Sequence, residues 1–228
     1  MLDVKDVKNI KYFTKGHRGI LYTGEYKGKK VVIKAKLPES KAEGRIENEG
    51  KWIKRLNKKG VGPKLIKATK DYFFYYFVDG EFFIDYAKAL KKPKRFFGAQ
   101  KNSNNFYRGL KKNKESKKII LKIIQNVLDQ CYVMDGMNVD KEEMHHPLKH
   151  IIVDKKQKVT LLDFERCHIV DYGKNVTQFV VFLMRLREFL AEYDIKIDQD
   201  KLIALAKLYK REQTKEHFEK ILDEINKK

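Results

Sequence analysis

The sequence predicts an α+β chain. An N-terminal antiparallel sheet of five strands with one helix occupies residues 1–79, and a mainly helical part follows over 80–228. Three observations carry this reading. Residues 10–36 alternate short β-type runs with glycine punctuation, the signature of strands joined by tight turns. A run of aromatic residues from Tyr72 to Val78 ends at Asp79-Gly80. Beyond that point apolar residues recur at helical spacing in long segments, as between Ile119 and Tyr132.

In order, Ile20-Leu21-Tyr22, Glu25 to Lys30 and Val31-Val32-Ile33-Lys34 read as a hairpin with a Lys-Gly turn, and Pro38-Glu39-Ser40 breaks the pattern. A helix is expected from about Ala42 to Lys58, with Ile46, Glu49, Trp52, Ile53 and Leu56 on one face. Gly60 closes it and Gly62-Pro63 forbids its continuation. Lys64–Thr69 and Tyr72–Val78 complete the strands. The second is aromatic enough to be central and buried on both faces. Ile119–Tyr132 is an apolar helix, Met144–Lys149 a turn-rich connection, and Ile151–Val153 and Val159–Leu162 two short strands around the 154–158 turn. The remainder reads as helices over Val176–Tyr193, Asp200–Arg211 and Lys215–Asn226, and no internal repeat is present.

Composition narrows the classes. The 228 residues suffice for one large domain or two small lobes. Nothing reaches the ~18 consecutive apolar residues of a membrane span, so no membrane partner is expected. The start, Met-Leu-Asp-Val-Lys-Asp, lacks an apolar signal core, from which a cytoplasmic protein is expected. Cys131 and Cys167 are the only cysteines, and no Cys/His spacing resembles a zinc site. Lys and Arg number 51 against 31 Asp and Glu, a net charge of +20 that attracts polyanions. Residues 88–118 hold twelve Lys or Arg against the single Glu115, +11 in all, with Phe96, Phe97, Phe106 and Tyr107 interleaved. That pattern fits RNA or a ribonucleoprotein as partner, and fits equally a solvated loop. Asn102–Asn105 reads as a loop tip.

The informative motifs are four. Gly16-His17-Arg18-Gly19 precedes the strand Val31–Lys34, whose last side chain is a charge; Glu49 follows fifteen residues later on a helix; and Leu161-Leu162-Asp163-Phe164-Glu165 reads as a buried strand ending in a lone Asp. A glycine-spaced hairpin, a strand Lys, a helix Glu and a strand-end Asp, in that order, resemble the protein kinase-like superfamily. Within it the chain is similar to the small atypical kinases of the RIO type, to the lipopolysaccharide-kinase-like group, and above all to short archaeal serine/threonine protein kinases. The resemblance covers nearly the whole chain. It implies a bilobal fold with an N-lobe over 1–79 and a helical C-lobe over 80–228 that carries the basic insertion 88–118.

The resemblance also implies roles. Lys34 would contact the α- and β-phosphates of ATP, and Glu49 would pair with it, with Glu47 as competitor. Gly16 and Gly19 match the last two glycines of the phosphate-covering loop, whose first is replaced by Thr14. Leu21 and Val32 would line the adenine pocket. Phe77, Val78 and Asp79 would form the linker at the adenine edge. Asp163 matches the Asp that binds Mg²⁺ or Mn²⁺ in Asp-Phe-Gly, with Glu165 in place of the Gly; a helix cap or turn residue is the alternative. The catalytic loop departs from the family. Where kinases carry Asn thirteen and Asp eighteen residues before the metal Asp, this chain has His150 and His145. A two-residue insertion would instead put Glu143 in the base slot, and a carboxylate there accepts a hydroxyl proton well. Lys149 would supply the electrostatic role of a catalytic-loop Lys, and His150 a second metal ligand. His145 and His146 also read as surface residues of a turn. About a dozen residues separate Asp163 from the next helix, so a long activation segment is missing.

Two readings of function result, an ATP–Mg²⁺-dependent phosphotransferase acting on a protein or ribonucleoprotein partner, and a kinase-fold module that binds RNA or an RNA-processing complex with little catalysis. A small-molecule or sugar kinase is a third, suggested by the Asp-Phe-Glu form alone.

Overall fold

The structure, a computed structural model, describes residues 4–16, 19–37, 44–91 and 105–227, with side chains from Asn113 onward in the last segment. His17-Arg18, Pro38-Glu39-Ser40 and the basic stretch 92–104 lie outside the described residues. The chain is α+β, with an N-terminal five-stranded antiparallel sheet and a helical C-terminal part. It divides into two compact units, Met1–Asp79 with Thr160–Cys167, and Gly80–Val159 with His168–Lys228.

In the first unit, β1 (Lys8–Lys15), β2 (Gly19–Tyr26) and β3 (Lys29–Lys36) precede α1 (Arg45–Asn57), β4 (Leu65–Ala68) and β5 (Tyr72–Tyr76). The sheet order is β1-β2-β3-β5-β4, all antiparallel. Lys27 and Gly28, both at positive φ, form the two-residue turn between β2 and β3, whose twist suits a hairpin. β5 lies inside the sheet, as its aromatic run predicts. Side chains alternate across each strand, which gives the sheet two different faces. Val31, Ile33 and Phe74 form an apolar cluster with Val4 on one side. Lys34, with Leu21 and Phe73 opposite it in register, points to the other. α1 buries Ile46, Glu49, Gly50, Ile53 and Leu56. It ends in the turn at Lys58–Gly60, where the Asn57 amide donates to Val61 O and Pro63 O and accepts from Leu65 N.

The second unit starts with β6 (Gly80–Phe82), α2 (Phe83–Lys91) and α3 (Asn105–Asp135), and continues through β7 (Val139–Asp140) and β8 (Ile151–Asp154). β9 (Val159–Leu161) leads back to the first unit. β10 (His168–Ile169), α4 (Asn175–Arg185), α5 (Arg187–Ala191), α6 (Gln199–Glu212) and α7 (Lys215–Asn226) complete the chain. Three differences from the sequence expectation stand out. Gly80 opens a strand, β6, that pairs with β8, rather than only closing β5. The apolar helix begins at Asn105, not Ile119, so Asn105 is helical and not part of a loop tip. The expected helix Val176–Tyr193 is two helices, broken at Leu186. Among the described residues, no helix is long and apolar enough to cross a membrane.

The apolar stripe of α3, with Ile120, Ile123, Ile124, Val127 and Leu128 all fully buried, recurs at i, i+3, i+4, i+7 and i+8, one face of a helix. At its end sits a buried acid. Asp135 accepts hydrogen bonds from Asn175 N (2.8 Å), Asn175 Nδ2 (2.7 Å), Val176 N (3.2 Å) and Tyr209 OH (3.1 Å). It therefore caps α4 from a distance, satisfying N–H groups that a helix start leaves open. A Cβ on Gly173 would lie 2.5 Å from Asp135 Cα, so only glycine lets the chain pass here. Burial pushes the Asp135 carboxyl up to about 6 from its ordinary 3.8, against the pull of its donors.

Asp135→Ala should cost about 3 kcal/mol or more, because several buried donors lose their acceptor at once. A folded pKa above the unfolded one means that the native state holds the proton more tightly. This group's contribution is then fully present below about pH 4 and lost as pH rises through about 6, on the order of 3 kcal/mol in total. Urea denaturation across that window should show the decline in wild type and a flatter profile in Asp135→Asn; parallel profiles would contradict it.

Candidate functional site

The first unit gathers four charged side chains on the Lys34 face of the sheet. Lys34 Nζ lies 2.6 Å from Glu49 Oε2, and 3.8 Å from both Asp163 Oδ1 and Glu165 Oε2. β3 delivers the lysine and α1 the glutamate. Asp163-Phe164-Glu165 follows β9 and is fixed to the same helix from two adjacent positions. Asn48 Nδ2 donates to Glu165 O (3.2 Å), and Phe164 N donates to Glu49 Oε1 (3.4 Å). Phe164 is fully buried. Asp163 has φ 62°, a left-handed conformation that side chains other than glycine adopt at a cost and that clusters at functional sites.

The electrostatics follow from the count. Burial disfavours the Lys34 ammonium, but Glu49, Asp163 and Glu165 together outweigh it, and the pKa of Lys34 is raised above its ordinary 10.5. Burial pushes the Glu49 carboxyl up, Lys34 opposes that shift, and Asp163 and Glu165 reinforce it. Both shifts are upward, for Lys34 because three carboxylates outweigh burial, and for Glu49 because burial, reinforced by its two acidic neighbours, outweighs Lys34. Tyr75, on the neighbouring strand, has its phenol raised first by burial and then by Glu49. Glu49, Asp163 and Glu165 each offer an oxygen within 4.8 Å of the others. These are hard donors of the kind Mg²⁺ and Mn²⁺ take.

The other residues singled out in the first unit surround this cluster. Leu21 is directly opposite Lys34 in the β2–β3 register, and Val32 lies two residues before it, so both share its face. Gly16 N donates to Gly19 O (2.9 Å) at the β1–β2 connection. A Cβ on Gly19 would stand 3.0 Å from Ala35 O and 3.3 Å from Ile46 Cδ1, so β3 and α1 leave little room for a side chain here. Val78 is half-buried just beyond β5, where Phe77 N donates to Lys30 O (3.0 Å). Glu47, the competitor of Glu49, instead pairs with Lys51 one turn on.

The second unit places Glu143 and His150 together, with Glu143 Oε2 3.6 Å from His150 Nε2. His150 Nδ1 in turn lies 3.3 Å from Lys141 Nζ. Lys149 is exposed. His145 turns elsewhere. Its Nδ1 lies 3.0 Å from Glu142 O, and it lines a cavity of about 610 Å³ with Asp140 and Gln178. Three residues enter these sites without having been picked from the sequence: Glu165, Tyr75 and Lys141, the last 1% exposed. Glu165 had a signal in its place beside Asp163, whereas Lys141 reads as one lysine among many. No protein-family model matches the chain, and no curated protein matches it.

Lys34→Met leaves three carboxylates crowded without their cation, and should cost about 3–5 kcal/mol, the penalty of breaking a buried pair. Carboxyls raised in the folded state contribute stability at low pH that is lost as pH rises. The deficit of the variant relative to wild type, measured by chemical denaturation, should therefore shrink as the pH is lowered. A deficit independent of pH would show that the carboxylates do not depend on Lys34.

Proposed function

We propose that this chain is an ATP-dependent phosphotransferase of the protein kinase-like, bilobal fold, using Mg²⁺ or Mn²⁺ and acting on a hydroxyl of a protein or ribonucleoprotein partner. One observation carries the reading: the buried Lys34–Glu49 pair at 2.6 Å, with Asp163-Phe164-Glu165 fixed to the same helix. A lysine held charged by a carboxylate is suited to bind phosphate oxygens. Leu21 and Val32 supply apolar surface beside it for a base, and Val78 belongs to the segment assigned to the adenine edge.

A divalent cation suits the donors present, since three carboxylate oxygens face a single ammonium. Asp163 and Glu165 would hold it, because Glu49 is committed to Lys34. Such an ion neutralises charge on transferring phosphates. In the second unit Glu143 is assigned acceptance of the hydroxyl proton, with His150 beside it to hold its orientation. The second reading, an RNA-binding module, is favoured by the net charge of +20.

Isothermal titration calorimetry tests the first reading. Wild type should bind ATP saturably and more tightly with Mg²⁺. Folded Lys34→Ala should lose at least about tenfold in affinity, and Asp163→Asn should lose the gain from the metal. Unchanged affinity in the first variant, or equal metal dependence in the second, would refute the assignment. The second reading predicts single-stranded RNA binding that falls with salt at a log–log slope of about −0.7 per phosphate contacted. An absence of binding at low salt would remove it.

A further inference from the structure

The second unit contains a cavity of about 610 Å³ that the reading above leaves unused. Its floor is laid by α4 and α6. Thr177, Val180, Val181 and Met184 line it from α4, and Ile203, Ala206, Lys207 and Lys210 from α6. Each set spans i to i+7, two helical turns or about 10 Å. The helices run antiparallel: the Gln213 amide, at the end of α6, donates to Gly173 O just before α4, while Gln199, at the start of α6, donates to Met184 O near the end of α4. The cavity is therefore a groove along two helices, not a closed pit.

Its charge is distributed unevenly. The antiparallel arrangement brings Lys174 and Lys210 to one end, with Lys207 one turn along, and leaves Met184 and Ile203 toward the other. None of these three lysines has an ion-pair partner among the described residues. The acids that reach the groove are engaged. Asp140 Oδ1 accepts from Glu142 N (2.7 Å) and Gln178 Nε2 (3.1 Å), and Glu142 Oε1 lies 3.5 Å from His168 Nδ1. Ile203 remains 38% exposed at the apolar end.

We propose that this groove is a docking site for an acidic amphipathic peptide segment of a protein partner, its apolar side chains on the α4–α6 floor and its carboxylates at the Lys174/Lys207/Lys210 end. Length, apolar floor and one-sided charge argue for that occupant. An amphipathic helix with anchors at i, i+4 and i+7 spans about 10 Å, the length over which α4 and α6 line the groove. Three ammoniums without carboxylate partners at one end call for several carboxylates in a row, which a peptide offers and a single anionic headgroup does not. Docking here is independent of nucleotide binding and stands whether or not the chain transfers phosphate.

The test uses the full chain and a fluorescein-labelled peptide of Glu residues with Leu at i, i+4 and i+7, followed by fluorescence anisotropy. Wild type should bind saturably. Lys207→Glu with Lys210→Glu should weaken binding by about tenfold or more. Lys5→Glu with Lys8→Glu, which changes net charge equally in the other unit, should leave it nearly unchanged. Ile203→Asp, at a position 38% exposed, should also weaken binding about tenfold, and so should replacing each Leu of the peptide by Ser. Circular dichroism checks that each variant is folded. Equal losses in the two charge-reversed pairs would reduce the effect to the overall field and overturn the proposal. So would indifference to Ile203→Asp, no binding at low salt, or binding of decanoate at this groove in place of the peptide.

Discussion

Lys34 is the cation on which the first unit depends. Three carboxylates converge on its ammonium, one from α1 and two from the Asp163-Phe164-Glu165 turn that is fixed to α1. A buried carboxylate such as Glu49 is tolerable in a protein interior only when a partner offsets its lost hydration. The same pair also fixes geometry. With Lys34 Nζ 2.6 Å from Glu49 and Phe164 N donating to the other oxygen of that carboxylate, strand, helix and the Asp163-Phe164-Glu165 turn share one acid. One lysine thus faces three carboxylates, and the acids outnumber their cation.

The second unit solves a comparable problem with a neutral-leaning acid. Among the described residues Asp135 has no cation like Lys34 beside it; amide and phenol donors surround it. Burial raises its carboxyl against the pull of those donors, and its work is to join α3, α4 and α6. Buried acids thus serve opposite ends in the two units. One is kept charged and aimed at a lysine, the other ties helices together. The groove beside α4 depends on that joint, since its floor consists of α4 and α6.

Much of this was legible in the sequence for local reasons. Strand alternation in 19–36, the Lys-Gly turn and the one-sided apolar pattern of α1 are each set by neighbours in the chain. The pairing of Lys34 with Glu49 followed from the helix face that Glu49 shares with Trp52, Ile53 and Leu56. What escaped depends on distant partners. β6, β7 and β10 are two or three residues long and exist only through pairing with remote strands. The first turns of α3 are lysine-rich and lack an apolar stripe, so no periodicity announced them. The break at Leu186 has neither glycine nor proline to mark it. Lys141 is buried because Asn175 and His150 come to it from elsewhere. His145 and Glu143 are neighbours in sequence, yet they turn to different surroundings, which a reading by spacing cannot distinguish.

The protonation of Lys34 is the quantity that decides the account. In protein labelled with ¹³C,¹⁵N-lysine, the side-chain resonance of Lys34, assigned through Lys34→Arg, can be followed as the folded protein is made alkaline. If the three carboxylates outweigh burial, Lys34 stays charged after the exposed lysines have titrated. Titration of Lys34 together with them, or before them, would mean that burial prevails and would contradict a lysine held charged by its three carboxylates.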